Sequence, residues 1–223
     1  GLPHPPDFSI DRVKRMVLAG ERVPEAWVPF VKVLDLSGMG LTDLSPLAGL
    51  TALISLDLSH RWVVDTEQPR KLLGRRAYSL DGLAEIISIA NIDYLFDQNL
   101  QILNLSPLAG LVRLSRLDLH GTKVSDLSPL AGLSGLAWLD LSKAPLSDIS
   151  PLAGLKALTS LGVSGATLSN MSPLAGLTAL TRLYLSGTRV SDASPLAGLA
   201  RLQTLRAPAH CDTLSLIHIS EPT

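Results

Sequence analysis

Five histidines and a single cysteine are the residues of this chain best suited to hold a metal or to pair a nucleophile with a base. His4, His60, His120, His210 and His218 are scattered, and none stands at ligand spacing from another histidine or from Cys211. His60 and His120 each follow a Leu-x-Leu segment and read as solvated turn residues at equivalent positions, which could line one face. One cysteine rules out a disulfide framework. Many serines precede prolines, a place that suits capping of a short helix, and no base accompanies them. The glycines sit in Ala-Gly-Leu and Ser-Gly turns and form no phosphate-cradling loop. Asp43, Asp126, Asp148 and Asp192 recur at one fixed place ahead of a Ser-Pro step. That is the pattern of turn-stabilising groups, not of paired catalytic acids. The sequence therefore predicts no catalytic residue, no cofactor, no metal and no enzyme.

The recurrence of those residues leads to the elements that carry them. Ser-Pro-Leu-Ala-Gly-Leu occurs six times, with its proline at Pro46, Pro107, Pro129, Pro151, Pro173 and Pro195. From Pro107 onward each step is 22 residues, whereas Pro46 to Pro107 is 61, which reads as two repeats plus 17 residues. Ahead of each block stands Leu-x-x-Leu-x-Leu, as in Leu114/Leu117/Leu119, Leu136/Leu139/Leu141, Leu158/Leu161/Val163 and Leu180/Leu183/Leu185. Earlier copies are Val31/Leu34/Leu36 and Leu53/Leu56/Leu58, and a decaying copy is Leu202/Leu205/Ala207. Ile92, Leu95 and Ile102 mark a degenerate copy, with Asp97 at a position that is normally buried. Alternating Leu-x-Leu is a short strand with one buried face. A turn follows, then a core residue (Val124, Leu146, Leu168 or Val190), then the Ser-Pro block. There Ser128 reads as an N-cap and Pro129 as the first-turn proline of a very short helix that stops at Gly132. One such unit cannot bury its own leucines, but a stack of them can.

This 22-residue pattern resembles the leucine-rich repeats of bacterial internalin-like proteins over residues 31–58 and 92–207. The resemblance implies an α/β repeat fold: a right-handed leucine-rich-repeat solenoid with parallel strands on its concave face and short 3-10 or α turns on its convex face. It implies recognition of a protein partner, without naming one. The turn position that is Asn in many such families holds Thr122, Ala144, Ala166 and Thr188 here. The turn backbone must be satisfied by other means.

On such a strand the residues between the leucines point away from the core. They make two columns: Val33, Ser55, Arg116, Trp138, Ser160, Arg182, Thr204 and Asp35, Asp57, Asp118, Asp140, Gly162, Tyr184, Arg206. Trp138, with Arg116, Arg182 and Tyr184 nearby, has the composition of an interface hot spot. These four residues with Asp118 and Asp140 are the expected partner-binding site. In a competing arrangement Asp118 and Asp140 pair with Arg116 and Arg182 across neighbouring strands, each pair contributing roughly 0–1 kcal/mol, and Trp138 only covers aliphatic stems.

Residues 1–30 read as an N-terminal helical cap over the open end of the leucine core. Ser9 caps an amphipathic helix with a stripe of Ile10, Val13, Met16 and Val17, Gly20 ends it, and Trp27, Pro29 and Phe30 follow. The solenoid spans 31–213 with an irregular insert at 59–91. The insert carries Arg70, Lys71, Arg75 and Arg76 and a helical pattern from Ser79 to Ile89; it reads as a solvated loop, and as a basic patch if an acidic partner binds there. Residues 214–223, LSLIHISEPT, resemble the in-frame translation of a sequencing-library adapter. That resemblance implies a tail of non-biological origin and natural sequence ending near Thr213.

With 19 basic and 20 acidic residues the net charge is −1, which gives no basic surplus for nucleic acid or an anionic membrane. No small-molecule substrate is indicated. The expectation is a monomer, unless an uncapped C-terminal end associates. The sequence favours neither a cytoplasmic nor a secreted location. The alternative function is the recognition arm of a larger signalling or effector enzyme.

Overall fold

The computed structural model describes residues 5–60, 102 and 104–211. Among these residues, seven strands of three residues each form one parallel sheet in strict chain order: β1 (Val33–Asp35), β2 (Ser55–Asp57), β3 (Arg116–Asp118), β4 (Trp138–Asp140), β5 (Ser160–Gly162), β6 (Arg182–Tyr184) and β7 (Thr204–Arg206). Between strands the chain turns through 3-10 segments such as Ser128–Leu130 and Ser172–Leu174. Leucines explain the stack. Leu117, Leu139, Leu161 and Leu183, from the strand centres, have no exposed surface, and neither do Leu130, Leu152 and Leu174 from the 3-10 segments opposite. The sheet and the turns are thus two walls of one continuous apolar filling, and each coil buries its face only against its neighbours.

The 3-10 segments start in a way the sequence reading placed one residue off. Ser128 is the first residue of its segment, not its cap, and the preceding Leu127 makes no side-chain capping bond. Asp126 does the capping work: its Oδ1 accepts the Ser128 N–H at 2.9 Å. Asp43, Asp148 and Asp192 do the same for Ser45, Ser150 and Ser194. Asn104 and Asn170 take this role in two further coils, at 2.9 Å to the N–H of Ser106 and of Ser172. Proline follows the serine because the next N–H of so short a helix has no acceptor to lose.

The turn after each strand shows how the chain manages without an asparagine ladder. The Lys143 N–H donates to the Ser164 carbonyl at 2.7 Å, and Gly121 and Gly165 donate to Ser142 and Ser186 at 2.8 Å. Each turn thereby hangs on the next coil. Within the turn, the buried hydroxyls of Thr122 and Thr188 donate to the carbonyls of Leu119 and Leu185, both at 2.7 Å, while Ala144 and Ala166 simply fill the space.

Two expectations are corrected by the register. Asp57 pairs with Asp118 and Ser55 with Arg116, so β2 and β3 are direct neighbours. The 61-residue step is therefore one repeat carrying 39 additional residues, and no degenerate coil around 92–102 stands between these strands. Ile102, 5% exposed, takes the core place that Val124 holds in the next coil. The predicted helix Ser79 to Ile89, Asp97 and the basic stretch Arg70, Lys71, Arg75 and Arg76 lie outside the described residues, as do His4, His218 and the 214–223 tail. The same register separates the two histidines: His60 is the third residue after Asp57, whereas His120 is the second after Asp118. They are not equivalent, and the His60 N–H donates to the His120 carbonyl at 2.7 Å.

At the N-terminal end, α1 (Ile10–Leu18) begins at Ser9, whose side chain accepts from the Arg12 N–H, and closes before Gly20 at φ 75°. Val13 and Val17 are fully buried with Trp27 in the same apolar cluster as Leu34, and Met16 packs against its edge. Ile10 departs from the predicted stripe: it is 37% exposed, one turn before the helix reaches the core. Phe8 meets Trp27 edge-on, and the Arg12 guanidinium lies over the same indole.

Candidate functional site

The outward residues of the seven strands fall into the two columns that alternation demands, in register along the whole sheet. Strand pairing sets Trp138 between Arg116 and Ser160, and the Arg116 guanidinium lies over the indole at 3.5 Å from its centroid. This cation–π contact replaces the competing ion pairs. Among the described residues neither Arg116 nor Arg182 makes a salt bridge to Asp118 or Asp140. A cation on an indole face contributes about 0.5–1 kcal/mol when exposed, and it ties the two side chains to each other.

The aspartates serve the strand ends instead. Asp140 Oδ1 accepts the Ser142 N–H at 2.8 Å, and its other oxygen lies 4.0 Å from His120 Nδ1. Asp118 Oδ1 accepts the His120 N–H at 3.1 Å. Asp35 and Asp57 accept from the N–H groups of Ser37 and Ser59 in the same way. Asp118 is 7% exposed, with an aspartate on the strand to either side. Burial, then repulsion from Asp57 and Asp140, pushes its carboxyl above the ordinary range, against the pull of the His120 N–H.

Arg182 and Tyr184 stand on β6, two strands from Trp138. The strand between them offers only Ser160 and Gly162, both buried beneath their neighbours. The predicted cluster is therefore two pairs, Arg116–Trp138 and Arg182–Tyr184, flanking a low strand. A Cβ on Gly162 would stand 2.6 Å from Asp140 Oδ1, so glycine is what lets that carboxylate lean across the sheet. Sequence reasoning passed over this spacer, although its signal was there: every other coil has a larger residue in Gly162's column.

Among the described residues no three His, Cys, Asp or Glu side chains are grouped to hold a metal ion. Cys211 is buried with its thiol 3.5 Å from the Ser191 carbonyl. No described helix is long and apolar enough to cross a membrane.

No protein-family profile matches the chain, and no curated protein matches it. Solved structures do. An internalin (inlF) of Listeria monocytogenes superposes with a TM-score of 0.65 at 26% identity, over 93% of this chain and 53% of that one. This chain thus spans about half the length of that relative. Internalin C2 (inlC2) of the same organism is 30% identical over 89% of this chain and 91% of its own, with a TM-score of 0.50. The chain belongs to the internalin family of leucine-rich-repeat proteins. The TLR13–ssRNA13 complex shares the fold at 20% identity and a TM-score of 0.52. Within this internalin-family chain, Arg116, Trp138, Arg182, Tyr184 and Arg206, on β3, β4, β6 and β7, are the large or basic residues in outward columns that are otherwise small or acidic.

Proposed function

We propose that this protein binds another protein across the concave face of its sheet, with Trp138 as the anchor. Arg116, Arg182 and Tyr184 are its flanking contacts, with Asp140 beside them and the buried Asp118 adding its negative charge beneath. The observation that carries the reading is the Arg116–Trp138 stack, 3.5 Å from cation to ring centroid, standing outward on the face with no structural duty in the core. A core built of leucine needs no tryptophan there, and a part-buried indole already held against Arg116 is desolvated cheaply by a partner.

The test is quantitative capture in parallel with three forms of the chain: wild type, Trp138→Ala/Arg182→Ala, and a convex-face control, Ala131→Glu. Ala131 is exposed on the opposite wall. The expected result is a partner whose recovery falls at least about tenfold with the double variant and is unchanged with the control, the usual effect of removing a hot-spot pair. Equal recovery with the double variant sinks the proposal.

A further inference from the structure

The near-zero net charge of the chain hides a segregation along its sheet. In the second outward column β1 to β4 carry Asp35, Asp57, Asp118 and Asp140, all in register. The column then changes character: Gly162 on β5, Tyr184 on β6, Arg206 on β7. The first column adds Arg182 on β6. Among the residues of these four strands Arg116 is the one positive charge, and it is held over the Trp138 ring. Arg182 and Arg206 are exposed.

Distance decides whether these charges cancel or stand as separate poles. Parallel strands lie about 4.8 Å apart, so β1 and β7 are about 29 Å apart along the face. Screening at physiological ionic strength acts over about 8 Å. Neighbouring aspartates therefore reinforce one another, while the acidic and basic ends are electrically independent. The carboxyl of Asp118 is raised chiefly by its burial, and the neighbouring Asp57 and Asp140 push it the same way.

We infer that the partner segment lying on this face is itself bipolar: basic where it crosses β1 to β4, acidic where it crosses β6 and β7, with an apolar side chain between them beside Trp138. This rests on the concave-face reading above and adds the partner's charge order to it. Both poles contribute: each exposed ion pair is weak, but several aligned along one face add and steer the approach. A partner of the opposite order meets like charge at both ends.

Two synthetic peptides of one composition test it on the full chain. One has a lysine block, a central tryptophan and a glutamate block; the other has the same residues with lysine and glutamate alternating. Their affinities are measured by fluorescence anisotropy at low and at high ionic strength. The block peptide is expected to bind about tenfold tighter at low salt, the advantage fading as salt rises. Arg182→Glu/Arg206→Glu, at two exposed positions, is expected to cut that advantage at least several-fold while circular dichroism stays unchanged. Equal affinity for the two peptides overturns the inference, as does an advantage untouched by the charge reversal, or no binding of either peptide. Trp138→Ala separates the two readings. If it weakens both peptides alike and they bind equally, the polarity fails and the concave-face anchor survives. If the block advantage persists and Trp138→Ala costs nothing, the polarity stands and the anchor fails.

Discussion

At the residue scale, one amino acid does opposite things in two places. Asp43, Asp126 and Asp148 accept hydrogen bonds from the serine two residues on, and their carboxyls are held below the ordinary 3.8. What they add to stability is present above the ordinary carboxyl range and is lost as pH falls through their lowered values. Asp118 is the reverse case. Its raised carboxyl means that the folded state binds the proton more tightly than the unfolded chain, so stability falls as pH rises from 3.8 through the folded value. Asp118→Asn keeps an acceptor for the His120 N–H and removes the buried charge. It should raise the melting temperature by about 2–4 °C at pH 7, and by less at pH 3, where the wild-type carboxyl carries less charge. Calorimetry at the two pH values decides, and an equal gain at both would mean that charge is not the cause. Lys143 is a second residue-scale case. It has φ 64° in the turn where Gly38, Gly121, Gly165 and Gly187 stand in other coils. A side chain there costs about 1–2 kcal/mol, against which a glycine loses roughly 0.5–1 kcal/mol of unfolded-state advantage. Lys143→Gly should therefore stabilise by up to about 1 kcal/mol, readable in urea unfolding; a loss of stability would contradict the strain argument.

At the scale of the element, the coil itself was legible because its chemistry repeats: leucine alternation gave the strands and both outward columns, and the Ser-Pro block gave the 3-10 segments. What periodicity could not give was adjacency. A 61-residue step fits two repeats plus a remainder as well as it fits one repeat with a long insertion, and only the pairing of Asp57 with Asp118 chooses between them. Nor does alternation say where a guanidinium goes. Arg116 lies over the ring beside it, and the aspartates accept the backbone N–H groups of their own turns. The continuous β2–β3 ladder carries a prediction. Replacing 61–101 by the dipeptide Thr-Lys, the pair that Thr122 and Lys123 form in the next coil, restores the regular step between His60 and Ile102. The shortened chain should keep the far-ultraviolet circular dichroism expected of its repeats and melt within about 4 °C of the parent, since the length of an inserted segment changes closure entropy only slowly. Collapse of the fold on this deletion would show that the ladder depends on the insertion.

At the scale of the whole molecule, each strand contacts chiefly the strands before and after it, so the continuous apolar filling should contribute to stability as a chain of neighbour terms. The two ends of the described chain differ. β1 is backed by α1 and Trp27, whereas on β7 the central Leu205 is only half buried. Leu161, in the middle of the stack, is completely enclosed. Leu161→Ala should therefore cost about 3 kcal/mol, whereas Leu205→Ala should cost less, roughly 1–2 kcal/mol, because part of that side chain is already in water. The kind of unfolding should differ as well. A cavity at β5 weakens the link between the β1–β4 and β6–β7 coils, so Leu161→Ala should broaden the urea transition and lower its apparent m-value, the mark of lost two-state behaviour. Leu205→Ala should leave the slope alone and speed amide exchange only at β7 and its turn. Hydrogen exchange resolved by segment, run on both variants, checks this directly: if both changes spread evenly over all seven strands, the molecule unfolds as a single unit and the nearest-neighbour description is wrong.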